Sequence, residues 1–117
     1  MSVFVLDYDH NAPNEDHLRA THEKMFRAVR ESNPSLPIIL MSRPKHLLNK
    51  WEAERLEIIT QTYKNALSRG DKNVYLLNNR ELTALCGNEG TVDNCHPTDF
   101  GFASIAQAVI SVIKKIF

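Results

Sequence analysis

The chain has 117 residues, room for one domain with a single core and too few for two. Hydrophobic residues make up 43% and charged residues 24%, the balance of a globular protein, and 14 basic residues cancel 14 acidic ones. With no net field, and with Lys and Arg scattered and not interleaved with aromatics, neither nucleic acid nor a membrane is an expected partner.

No apolar run approaches a bilayer span, and the start Met1-Ser2-Val3-Phe4-Val5 lacks the basic region and cleavage site of a signal peptide. The expected compartment is therefore the cytoplasm by default. Val3 to Leu6 is a continuous apolar run, the pattern of a buried parallel strand, and it ends in Asp7-Tyr8-Asp9-His10-Asn11-Ala12-Pro13. Polar residues at the end of such a strand lie where open α/β sheets place their chemistry. Asn14 is an N-cap, and Leu18, Met25, Phe26 and Val29, with Thr21 or His22 between, predict a helix over about 15–31, stopped by Asn33-Pro34.

Leu36 to Met41 forms a second buried strand, followed by the polar loop Ser42-Arg43-Pro44-Lys45-His46. Leu56, Ile59, Tyr63 and Leu67 give Trp51 to Ser68 a helical period, with Gly70 as its C-terminal cap. Val74 to Leu77 is the third strand. Asn78 to Cys86 holds a helical turn or two, and Gly87 to Gly90 reads as a flexible loop. Thr98 caps a last helix whose apolar stripe is Phe102, Ala106, Val109, Ile113 and Ile116. The order β-α-β-α-β-turn-loop-α predicts a single α/β domain over residues 1–117, with a parallel sheet, right-handed crossovers and helices on both faces.

The strongest chemical pattern is Val92-Asp93-Asn94-Cys95-His96-Pro97-Thr98. A carboxylate three residues before an imidazole in a tight loop can accept the ring N–H, fix its tautomer and stabilise its charged form, as a base in acyl transfer requires. Cys95 and Cys86 form no CxxC pair, which argues against a metal site and leaves a disulfide between them open. His17 and His22 are five apart and do not share a helix face well, so both are expected to face solvent. Asp7 and Asp9 are either a metal pair or solvated strand-end carboxylates; Arg43 either touches substrate or makes a surface salt bridge. Ser42 lacks the Gly-flanked elbow of a nucleophile, and His10 and His46 have no evident partner.

The stretch Val92 to Phe102, an Asp-x-x-His-Pro followed by Gly-Phe and an apolar helix, resembles the last conserved block of SGNH (GDSL-type) ester hydrolases. Asp7 to Pro13 resembles that family's Asn-bearing block, in a variant with Asn-Ala-Pro. The resemblance implies a flavodoxin-like, three-layer α/β/α fold and a serine esterase acting on a small-molecule or carbohydrate ester, without cofactor or metal. It makes His96 the general base, Asp93 its orienting partner and Asn11 an oxyanion donor. The family's Gly-Asp-Ser nucleophile motif has no counterpart here, since Gly70-Asp71 is followed by Lys72. The resemblance thus covers the C-terminal part of a family domain, with the strands expected before Val3 missing.

Two rival readings remain. Asp7-Tyr8-Asp9 after an apolar strand, with Ser42 after a second, also resembles the first motifs of haloacid-dehalogenase-type phosphatases, although Asn78-Asn79 stands where that family needs carboxylates. A sheet cut between strands also exposes unpaired backbone groups, which suits a non-catalytic associating fragment or a homodimer through the open edge.

Overall fold

A computed structural model of the chain describes residues 2–91 and 97–117. Three parallel strands, β1 (Phe4–Asp7), β2 (Ile38–Met41) and β3 (Val74–Leu77), lie in the order β1-β2-β3, with Phe4 opposite Ile38 and Ile38 opposite Val74. Between them run α1 (Glu15–Ser32) and α2 (Lys50–Ser68); the short α3 (Asn79–Leu82), a 3-10 turn (Gly87–Gly90) and α4 (Asp99–Ile116) follow.

Side chains alternate across a pleated strand, and β2 shows the result most clearly. Ile38 and Leu40 enter one core with Leu6, Leu18, Phe26, Ile59 and Ala66, whereas Ile39 and Met41 enter a second with Leu77, Leu82 and Val112. The first core lies under α1 and α2 and the second under α4, which makes the three layers. All four residues of β2 are buried, as a central parallel strand requires. The outer strand β1 departs from the expectation of burial on both sides. Only Leu6 is fully buried in it, and Val5 is 38% exposed because nothing described covers that face.

Local signals set the helix ends. Asn14 and Thr98 accept N–H bonds from His17 and Gly101, and Asn49 forms a reciprocal capping box with Glu52, which starts α2 one residue before the expected position. Gly70, at φ 85°, closes α2 in a Schellman motif, with its N–H on the Leu67 carbonyl and that of Asp71 on Ala66. Arg30 ties the opposite end of the sheet together, bonding Asp71 and the carbonyls of Leu36 and Asn73. No described helix is long and apolar enough to cross a membrane.

Two helices are rotated from their expected faces. α2 buries Glu52, Arg55, Ile59, Thr62 and Ala66, and leaves Leu67 exposed, because its first two turns carry charges that pair beneath the loops. α4 buries Gly101, Ser104 and Val112, with Val109, Ile113 and Ile116 partly covered, and turns Phe102 outward. The Ser104 hydroxyl donates to the Leu82 carbonyl at 2.7 Å and accepts from the Leu85 N–H, pinning α4 to the segment after α3.

His22 corrects a further expectation, being fully buried between α1 and α2. Its Nδ1 lies 2.8 Å from the Thr62 hydroxyl, which itself donates to the Ile58 carbonyl. The hydroxyl oxygen must then accept, so the ring proton sits on Nδ1 and the buried Nε2 has no described partner. Burial lowers the pKa from 6.5 to about 4, against an opposing effect of the Glu23 charge. Between those values the unfolded chain binds a proton that the fold refuses, so stability is full above about pH 6.5 and falls as pH drops towards 4. His22→Gln removes this titration. Denaturation curves should show the wild type losing up to ~3 kcal/mol more than the variant across that window.

Candidate active site

Parallel pairing brings the ends of all three strands, Asp7, Met41 and Leu77, to one rim, so the loops that follow them share an edge. The first loop is a tight turn over residues 9–12, closed by the Ala12 N–H on the Asp9 carbonyl at 3.4 Å. Its feet are buried, with Asp9 1% and Ala12 4% exposed, and its tip presents His10 and Asn11 to solvent.

The second loop is joined to the first by charge. The Arg43 N–H donates to Asp9 Oδ2 at 3.0 Å, and the Arg43 guanidinium bonds Glu52 at 2.6 Å and reaches to 3.8 Å from Asp9 Oδ1. Lys45 bonds the other Glu52 oxygen at 2.7 Å. Arg55, one turn further along α2, donates to the carbonyls of Asp9 and Ala12 at 2.6 and 3.0 Å and pairs with Asp9 and Glu15 at 3.6 and 3.4 Å. Burial by itself would raise the Glu52 carboxyl; bonds from the Asn49 N–H, Lys45 and Arg43 outweigh it and hold the group below its usual range.

An open cleft of about 420 Å³ separates the second loop from the third, with Lys45 to Asn49 on one wall and Gly87, Asn88 and Thr91 on the other. His46 is fixed at this cleft. Its Nε2 accepts from Arg80 at 3.0 Å, which leaves Nδ1 as the donor to Thr83 at 3.0 Å, and Thr83 donates to the Asn79 carbonyl. Beyond the cleft, Thr91 and Pro97 form an antiparallel bridge, and the Thr98 N–H bonds the Gly90 carbonyl at 2.8 Å. Gly90 and Gly101 touch backbone to backbone: a Cβ on Gly101 would lie 2.0 Å from the Gly90 oxygen. The stretch read as a flexible loop, Gly87 to Gly90, is therefore a 3-10 turn wedged under the start of α4.

Asp93, His96 and Cys95 lie outside the described residues. Asn11 stands at the rim, exposed. Arg43 is turned inward onto Glu52 and Asp9, its side chain 16% exposed, so its salt bridge is a partly buried one. Asp9 is no solvated carboxylate: it is 1% exposed, its Oδ2 accepts from the Arg43 N–H, and its Oδ1 lies 3.6 and 3.8 Å from the Arg55 and Arg43 guanidinium groups. Asp7 remains exposed; partial desolvation and the Asp9 charge raise its carboxyl, offset in part by His10. Ser42 is 1% exposed, out of reach of a substrate. Cys86 is a buried free thiol. Sequence pattern missed Glu52 and Arg55, whose signal was two charged residues three apart on what had to be an inward helix face.

The family model of the GDSL-like lipase/acylhydrolase family matches residues 1–114. The chain belongs to this family. Among solved structures, 97% of the chain superposes on a putative GDSL-like lipase from Bacteroides ovatus with a TM-score of 0.76 at 24% identity. It superposes equally fully on SsfX3, a salicylyl-acyltransferase from a tetracycline biosynthetic pathway, with a TM-score of 0.72 at 18% identity. At these identities the likeness establishes the α/β fold. The chain spans 35% and 37% of those two proteins. No curated protein matches it.

The Gly90–Gly101 contact yields a test of how the family's last block is held. Gly101→Ala forces backbone apart where no side chain can give way, so thermal melting should show a loss of about 1–3 kcal/mol, the usual range for overpacking. Ala103→Gly, on the exposed side of the same helix, should show no more than about 1 kcal/mol.

Proposed function

We propose that this chain is the base-and-oxyanion portion of a GDSL-type carboxylic-ester hydrolase. His96 serves as general base, Asp93 orients it, and Asn11 donates its side-chain N–H to the developing oxyanion. The observation that carries the reading is the turn over residues 9–12. In a chain of this family it holds Asn11 in solvent at the sheet rim while burying both residues that flank the tip. Such pre-organisation is what an oxyanion donor needs, because the donor must already be aimed before charge develops.

The nucleophilic serine is supplied by polypeptide outside these 117 residues, since no Gly-Asp-Ser occurs in them. Serine attack on the ester carbonyl would pass its proton to His96, and the tetrahedral oxyanion would form against Asn11. A carbohydrate acetyl ester is the preferred substrate class. Arg43 and Lys45 are assigned to holding the loops, in keeping with their bonds to Glu52.

The test is hydrolysis of an aryl acetate by the chain joined to a family N-terminal segment bearing the serine. The 117-residue chain alone should give background rates. In the joined protein His96→Ala should lower kcat by about 10³-fold or more and Asn11→Ala by about 10²-fold. Full activity in His96→Ala would remove the proposed base.

A further inference from the structure

Asn11 lies at the tip of a four-residue turn, and a turn tip is ordinarily free to move. Here both feet of the turn are gripped by one side chain from another element. Arg55 Nη1, in a residue only 8% exposed, donates at once to the Asp9 carbonyl at 2.6 Å and the Ala12 carbonyl at 3.0 Å, the residues on either side of the tip. The same nitrogen stands 3.6 Å from the Asp9 carboxylate, so the bonds are charge-assisted and the cation is neutralised where it sits. Without Arg55 two buried carbonyls would each lose a donor, and Asp9 would lose one of its two guanidinium partners.

We infer that Arg55 is a positioning residue for Asn11: it fixes the distance between the feet of the turn and thereby the direction of the amide at its tip. The inference rests on the oxyanion role proposed for Asn11. It goes beyond that role in assigning the geometry of the donor to a side chain 44 positions away on α2. A planar guanidinium suits the task because a single nitrogen can bridge two carbonyls while the rest of the fork meets Glu15, at 3.4 Å from Nε.

Amide hydrogen exchange on the 117-residue chain separates a local role from a general one. In Arg55→Ala exchange at the Ala12 amide should rise at least about tenfold more than at the Ile38 and Ser42 amides, which are bonded to Asn73 and Leu77 and follow any loss of global stability, and the Asn11 side-chain NH2 resonances should shift or broaden. Arg55→Lys, which keeps the charge but loses the planar orientation and the Nε bond to Glu15, should fall between, and it carries the test if the alanine variant does not fold. Equal acceleration at Ile38 and Ser42 would make Arg55 a general structural residue, and an unchanged Ala12 amide would remove the grip altogether; either result overturns the proposal. If the exchange result holds but Asn11→Ala leaves ester hydrolysis intact in the serine-bearing protein, the oxyanion reading falls and the grip on the turn stands.

Discussion

Beneath the rim of the sheet, three acids and three bases, Asp9, Glu15 and Glu52 with Arg43, Lys45 and Arg55, neutralise one another in a space mostly closed to water. Everything at the candidate site hangs on that cancellation. Each ion has lost hydration worth several kcal/mol, which the attraction of its partners and their hydrogen bonds must return. Such a network adds little net stability compared with an apolar filling of the same shape. Removing a single partner, however, strands a buried charge at about 3–5 kcal/mol. What the arrangement supplies is geometry: Arg55 holds the loop after β1, Glu52 holds the loop after β2 from the same helix, and Arg43 joins the two loops through Asp9.

The layered fold follows from simpler causes, and these were legible. A four-residue run apolar on both faces suits a strand with a core on each side, and β2 sends alternate residues into two separate cores. Asn14, Thr98 and Gly70 announced helix ends through side-chain or backbone chemistry that acts within a few residues. Where the pattern misled, a long-range contact decided. β1 shares the composition of β2 but lies at the edge, and Val5 is part exposed because strand order is not written in any one strand. The apolar period of α2 pointed to Leu67, yet the helix is turned to bury Glu52 and Arg55.

The site was legible to a different degree. Family motifs singled out Asn11 just after the first strand, and the structure has it exposed in the turn that follows β1. They could not tell that Asp9 and Arg43 face inward, because a charged residue after a strand looks the same whether it meets solvent or a buried counter-charge. His22 shows the same blindness. Its fate depends on Thr62, forty residues away, which offers one ring nitrogen a partner and so makes a neutral imidazole tolerable in a core. Gly90 and Gly101 read as a loop residue and a helix residue, and only long-range packing explains why neither carries a side chain: Gly101 lies on the Gly90 backbone, and a Cβ on Gly90 would strike Cys86 Sγ.

Glu52 and Arg55 stand one turn apart on a single helix, and this divides the rim into roots and tips. At the roots, a change in loop length would drag one ion away from five others. At the tips, Leu47 and Trp51 stand exposed and carry none of those charges. A protein built in this way would acquire new ligand preferences by swapping residues in place and seldom by insertion.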